Sequence, residues 1–288
     1  MATATKKTEL TTSTSPEALL KTHATSASQK GGVGKSFWER AKIEFLRERD
    51  VPIAAYDMDG GTGSVARILG ERDEHGELKP TEDQDPLKGV RSYNIHKNRG
   101  REAFADSSAL EYKHIQIDTP GGGFDALSDI MDGGSNSLQG LYEAILKEGR
   151  KPIIEHIITP EDESVESVRR YLDATEGLPI QHIAILNMRD ADEKSDFEMW
   201  FGYTDLETGE KVGGNARAEF LENGGIEIVM PKLAIGAALR MKRYNLTFTA
   251  ASQDARLTVT QRGQVSRWLR EMWKELLGNK KFLEIYGI

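Results

Sequence analysis

Short apolar runs bounded by turn residues recur along the chain, with helical spacings between them. Val51 to Tyr56, Pro152 to Ile158, Ile180 to Leu186 and Ile226 to Met230 are runs of strand length, and each ends in Asp, Asn, Thr-Pro or Pro. Runs of this kind, apolar on successive residues, predict strands buried on both faces. His114 to Ile117 closes on Asp118 and predicts a fifth. Phe37 to Arg49 instead carries Trp38, Ala41, Phe45 and Leu46 at helical spacing. A helical segment is expected from Ser164 to Ala174, another from Ala234 to Tyr244, and a long one from Gln261 to Leu277. That last helix shows Val265, Trp268, Leu269, Met272, Trp273 and Leu276 on one face, a stripe that predicts packing on a sheet.

The stretch ahead of the first helix is of another kind. Ser28-Gln29-Lys30-Gly31-Gly32-Val33-Gly34-Lys35-Ser36 is rich in glycine and closes on Gly-Lys-Ser. Such a loop wraps backbone N–H groups around an anion, while the lysine meets terminal phosphates and the hydroxyl a Mg²⁺ ion. A phosphate cradle is built as strand, loop, helix, so His23 to Ser28 is expected to be a strand although His-Ala-Thr-Ser-Ala-Ser is polar for a central one. The helix beginning at Phe37 would turn its positive end toward the phosphates.

A second lysine, Lys30, opens the loop, and Lys-Gly-Gly-x-Gly-Lys-Ser resembles the deviant Walker A motif of the ParA/MinD family of P-loop ATPases. Two further blocks fit that resemblance: Asp57-Met58-Asp59 after the second strand, and Asp118-Thr119-Pro120-Gly121-Gly122-Gly123 after the strand at His114. Together they imply a P-loop NTPase fold of the α/β class, a mostly parallel sheet with helices on both faces and the nucleotide at the carboxyl ends of the strands. The resemblance implies ATP and Mg²⁺ as ligands. ATP would lie on Gly31, Gly32, Val33, Gly34, Lys35, Ser36 and Phe37, with Asn187 and Pro231 beside the adenine. Mg²⁺ would be held near Ser36, Asp57 and Asp118. Asp59 would hold the attacking water, Lys35 would neutralise phosphate charge, and Lys30 would reach across an ATP-sandwiched homodimer. The family's roles in plasmid partition and conjugative mobilisation imply non-specific DNA and a ParB-like activator as partners. A metabolic enzyme activating an amide or carboxylate on the same scaffold, and a MinD-like membrane-positioning ATPase, stand as alternatives.

Composition narrows this. The 288 residues suit one α/β domain over 21–288 with insertions near 71–99 and 189–214, behind a Thr/Ser-rich arm over 1–20 expected to be disordered. Cysteine is absent, which excludes disulfides, thiolate nucleophiles and Cys-ligated clusters. The six histidines are scattered, none at i,i+4 spacing, and are expected on the surface or at caps. No apolar run approaches the roughly 20 residues of a membrane span; the expected location is cytoplasmic and a membrane partner is not expected. Net charge is −8, yet Lys232 to Lys281 holds eleven Lys/Arg against three Asp/Glu. Arg240, Lys242, Arg243, Arg262, Arg267 and Arg270 in this basic region are the candidates for DNA contact. Gly61-Thr62-Gly63-Ser64-Val65-Ala66 matches a dinucleotide fingerprint and is the competing phosphate site, although two carboxylates directly before it would repel a pyrophosphate. The aromatics Phe197, Trp200, Phe201 and Tyr203 are read as local packing.

Overall fold

A computed structural model describes residues 21–28, 30–60, 63–128, 130 and 137–288; the arm expected over 1–20 lies outside them. In chain order the strands are β1 Thr22–Ala27, β2 Ile53–Asp57, β3 Arg91–Ser92, β4 His114–Asp118, β5 Lys151–Ile158, β6 Gln181–Asn187, β7 Tyr203–Thr204, β8 Lys211–Val212 and β9 Ile226–Met230. The helices are α1 Lys35–Arg47, α2 Ser64–Leu69, α3 Asn98–Ser107, α4 Gly123–Ser128, α5 Ser137–Lys147, α6 Asp162–Ala174, α7 Glu198–Phe201, α8 Asn215–Glu222, α9 Ile235–Tyr244, α10 Phe248–Ala251, α11 Val259–Gly278 and α12 Lys280–Tyr286. Seven strands form one parallel sheet in the order β3-β2-β4-β1-β5-β6-β9, and β7 and β8 form a separate antiparallel hairpin.

Strand alternation divides the apolar core between the two faces of this sheet. Ala24, Ile153, Ile183 and Ile226 pack with Trp38 and Phe45 of α1 and with Val265, Trp268, Met272 and Leu276 of α11. Ala27, Ile115, Ile117 and Ile154 pack on the other face with Phe104 of α3 and Tyr142 of α5. The apolar stripe of α11 thus lies on the core, as its spacing predicts, and α12 follows it inward: Phe282 and Tyr286 are buried, Phe282 6.1 Å from the Phe45 ring and Tyr286 5.2 Å from that of His114.

The polar composition of β1 has a physical account. It lies between β4 and β5, fully buried, and its neighbours supply partners to Thr22, His23 and Ser26 in place of water. Thr22 Oγ1 meets His114 Nδ1 at 3.0 Å, and His23 Nε2 meets Ser107 Oγ at 2.9 Å. Ser26 Oγ donates to Asp118 Oδ1 at 3.3 Å, and the Thr119 hydroxyl donates to the Ser26 carbonyl at 2.6 Å. A second polar group lies between α1 and the sheet, where the buried Lys42 bonds Glu155 and Gln116 and stands 3.7 Å from Glu39. Neither group shows in the apolar pattern.

Several expectations are corrected here. Four of the six histidines, His23, His114, His156 and His182, are buried in strands instead of lying on the surface, each with one ring nitrogen on a polar partner: Ser107 of α3 for His23, Thr22 for His114, and each other for His156 and His182. The segment 71–99 is only in part a surface excursion, since Arg91–Ser92 joins the sheet as an edge strand beside β2 and Val90 and Ile95 are buried. In the segment 189–214 the aromatics Phe197 and Trp200 pack locally around Phe220, as expected, with Trp200 5.4 Å from its ring, while the hairpin carries Leu206 almost fully exposed at its turn.

Candidate functional site

The glycine loop runs from the buried end of β1 to the first turn of α1, which opens at Lys35 directly after Gly34. Gly32 and Gly34 have φ of 78° and 108°, a region that side chains rarely enter, and a Cβ on Gly34 would stand 2.6 Å from Asn187 Nδ2. The loop is braced from two sides. Asn187 Nδ2 donates to the Val33 carbonyl at 2.7 Å, and Arg189 Nη1 donates to the Gly32 carbonyl at 2.6 Å. Gly121, in the loop after β4, approaches so closely that a Cβ there would lie 3.0 Å from Gly31 N.

A cleft of about 480 Å³ opens over this loop. Its walls include Gly31, Gly32, Gly34, Lys35, Ser36, Phe37, Asp59, Asn187 and Pro231, so most of the residues expected around the nucleotide share one cavity. Val33 is buried behind the loop. Phe37 meets Phe248 and Trp268 edge-on at 4.8 and 5.3 Å, and the Pro231 carbonyl accepts from Trp268 Nε1 at 2.7 Å, so α10 and α11 hold that wall.

Charge in the cleft is arranged against its burial. Lys35 is buried, its Nζ donates to the Lys30 carbonyl at 3.4 Å, and burial lowers its pKa against the pull of Asp118 and Asp59. Asp57 and Asp118 are buried partners in adjacent strands. Burial first and Asp57 second push Asp118 up to about 7, while hydrogen bonds from Ser36 and Ser26 pull it down. Such a carboxyl, beside a second one and hydrogen-bonded to the Ser36 hydroxyl, is a fitting seat for a divalent cation. Asp57 differs from its expected place among the ligands: its oxygens accept from Asp59 N at 3.1 Å and Ala66 N at 2.9 Å, so it anchors the start of α2. Asp59 is exposed and lines the cleft.

The competing fingerprint is answered by the same contacts. Gly61 and Thr62 lie outside the described residues, but Gly63 is so close to Asp57 that a Cβ there would fall 2.0 Å from its oxygens. Asp57 accepts from Ala66 N in the first turn of α2, the end of the helix that a pyrophosphate would need.

The other candidates are dispersed. Lys30 is half-exposed, with Nζ 2.6 Å from Glu161 Oε2 of its own chain, and the Glu161 side chain raises its pKa. Lys242, Arg243, Arg267 and Arg270 are exposed on α9 and α11, Arg267 standing 3.8 Å from Glu271. Arg240 is half-buried against Tyr244 Oη at 3.2 Å, and Arg262 turns inward to the Leu257 carbonyl at 2.7 Å. Sequence reasoning passed over Glu161, Arg189 and Arg40. Arg40 lies four residues after Ser36 and so on the same helical face, which was the available signal.

No protein-family model and no curated protein matches the sequence. Solved structures do match its fold. Its structural neighbours are MinD, plasmid partition proteins and McdA. The septum site-determining protein MinD of Pyrococcus horikoshii, complexed with Mg-ADP, is 16% identical, with 90% of this chain and 98% of that one covered and a TM-score of 0.48. A Borrelia burgdorferi plasmid partition protein bound to AMPPNP is 16% identical over 88% and 98% of the two chains, at a TM-score of 0.46. A Cyanothece McdA–ATP complex is 10% identical over 94% and 98%, also at 0.46. The roles of individual residues therefore rest on the geometry of this chain. Among the described residues no helix is long and apolar enough to cross a membrane.

Proposed function

We propose that the protein is a ParA/MinD-like ATPase that binds MgATP in this cleft and uses it to switch between monomer and dimer. One observation supports this above the others: the glycine loop opens on the N-terminus of α1, with Lys35 and Ser36 in its first turn and Asp59 lining the same cleft. Loop amides and the Lys35 ammonium would hold the β- and γ-phosphates, since phosphoryl transfer needs positioning and charge neutralisation more than covalent chemistry. Ser36 and Asp118 would hold Mg²⁺, which supplies Lewis-acid stabilisation of the phosphate oxygens when bound. Asp57 would contribute charge and hold α2, and Asp59 would orient the attacking water. Asn187 and Pro231 would border the base.

In this reading Lys30 exchanges Glu161 for the nucleotide of a second copy when the dimer forms, and a ParB-like activator would act on that dimer. The exposed cations of α9 and α11, Lys242, Arg243, Arg267 and Arg270 with Arg240 at their edge, would hold duplex DNA without reading its sequence. Arg262, already bonded to a carbonyl, would contribute least. Partition or mobilisation of DNA is the role this combination supports. Co-sedimentation with duplex DNA, with ATP and with ADP and beside anionic liposomes, tests it. ATP-dependent recovery with DNA is expected, and recovery with liposomes alone would favour a membrane-positioning role instead.

A further inference from the structure

The same cleft extends past the loop along α1, toward α2 and α9, where its walls are Arg40, Ser64, Ile68, Ala238, Leu239 and Lys242. Arg40 is the unusual member. It is 7% exposed, its Nε donates to the Ser36 carbonyl at 3.0 Å, and its other N–H groups meet no acceptor among the described residues. Among those residues it forms no ion pair within 4 Å; the nearest helical carboxylate, Glu44, spends its oxygens on Phe248 N and Thr249 N at 2.8 and 3.0 Å. The guanidinium rests instead on two aromatic faces, 5.3 Å from the Phe37 centroid and 5.4 Å from that of Phe248. Its Nη groups are not sealed from solvent but open on the cleft, where a cation that is otherwise buried favours an anion as its partner. A planar fork held against rings is already oriented for bidentate contact with an oxyanion.

We propose that this wing is a second phosphate subsite, in which Arg40 and Lys242 grip a phosphate group distinct from those on the glycine loop. Ser64 adds a hydroxyl, and Ile68, Ala238 and Leu239 give an apolar wall suited to the body of a phosphate monoester. The source is either free phosphate or such an ester. The subsite shares its cleft with the proposed nucleotide but is formed by different side chains, so the two assignments stand or fall separately.

Isothermal titration into protein saturated with MgADP tests it, with inorganic phosphate in one arm and phenyl phosphate in the other. Saturable binding is expected with MgADP present, weakened about tenfold or more by Arg40→Gln, the loss expected for a charge-assisted pair. Lys242→Gln, at an exposed position, is expected to weaken it several-fold. Tighter binding of phenyl phosphate assigns an ester, and equal binding assigns free phosphate. Absence of saturable binding in both arms overturns the proposal, as does binding that MgADP abolishes or that both variants leave unchanged. If MgADP itself fails to bind, the ATPase reading falls, and titration of Lys35→Ala with phosphate still tests Arg40.

Discussion

Replacing His23 with leucine should give a protein whose stability relative to wild type changes sign with pH. His23 is wholly buried in β1, and burial, with a smaller push from Arg150, lowers its pKa from 6.5 to about 3. The unfolded chain therefore binds a proton at pH values where the folded one does not, so this histidine favours folding least in acid: its neutral state is free of penalty above 6.5 and costs stability as pH falls toward 3. At about 1.36 kcal/mol per unit, the cost at pH 5 is about 2 kcal/mol, and about 3.4 kcal/mol at pH 4. At pH 8 no such cost exists, and leucine instead forfeits the 2.9 Å contact with Ser107, a loss of about 1 kcal/mol. His23→Leu should be less stable by about 1 kcal/mol at pH 8 and more stable by a similar margin at pH 5. Urea denaturation of both proteins at several pH values measures the difference, and titration of Glu44, Asp118 and the other buried groups cancels between them. A difference that stays within about 0.5 kcal/mol from pH 8 to pH 5 would show that His23 is not held neutral by the fold.

Three further outcomes are expected. Gly63→Ala, which sets a Cβ against both Asp57 oxygens, should cost about 3 kcal/mol through the clash and the lost anchor of α2, measured by thermal or urea unfolding. Lys35→Ala should abolish nucleotide binding in fluorescence titration, whereas Lys30→Ala, whose ammonium bonds Glu161, should keep monomer binding and lose the ATP-dependent rise in light scattering; an unchanged dimer would refute the trans role. Asp59→Ala should bind ATP and dimerise yet turn over slowly, by about 10² or more in phosphate release, and wild-type turnover would make Asp59 an ordinary turn residue.

What the chain discloses before its fold is known follows from the physics of each signal. Apolar runs such as Ile226 to Met230 and the α11 stripe carry their own evidence of burial, and their expected positions match the elements within a few residues. The loop is legible because few sequences other than a phosphate cradle need that order of glycines and lysines. β1 could be placed only through the loop, because its burial depends on His114, Ser107 and Asp118, all far along the chain. For the same reason Lys42 and Glu155 were invisible as a buried pair, 113 residues apart. Asp57 was legible as a carboxylate at a strand end, but its use as an anchor required Ala66 to be seen beside it. The two-residue β3 is too short to leave any periodicity.

The inward course of α12 bears on how the chain is made. Phe282 and Tyr286 complete the face of the sheet that α1 begins, so the hollow beside Phe45 and His114 stays open until residue 286 has left the ribosome. At about 5 to 20 residues per second, the helix that carries Lys35 waits through more than two hundred residues of synthesis, on the order of ten seconds or longer, before its last neighbours arrive. During that interval the nascent chain presents an apolar surface, and a ribosome stalled short of that point would leave the glycine loop on an unfinished support.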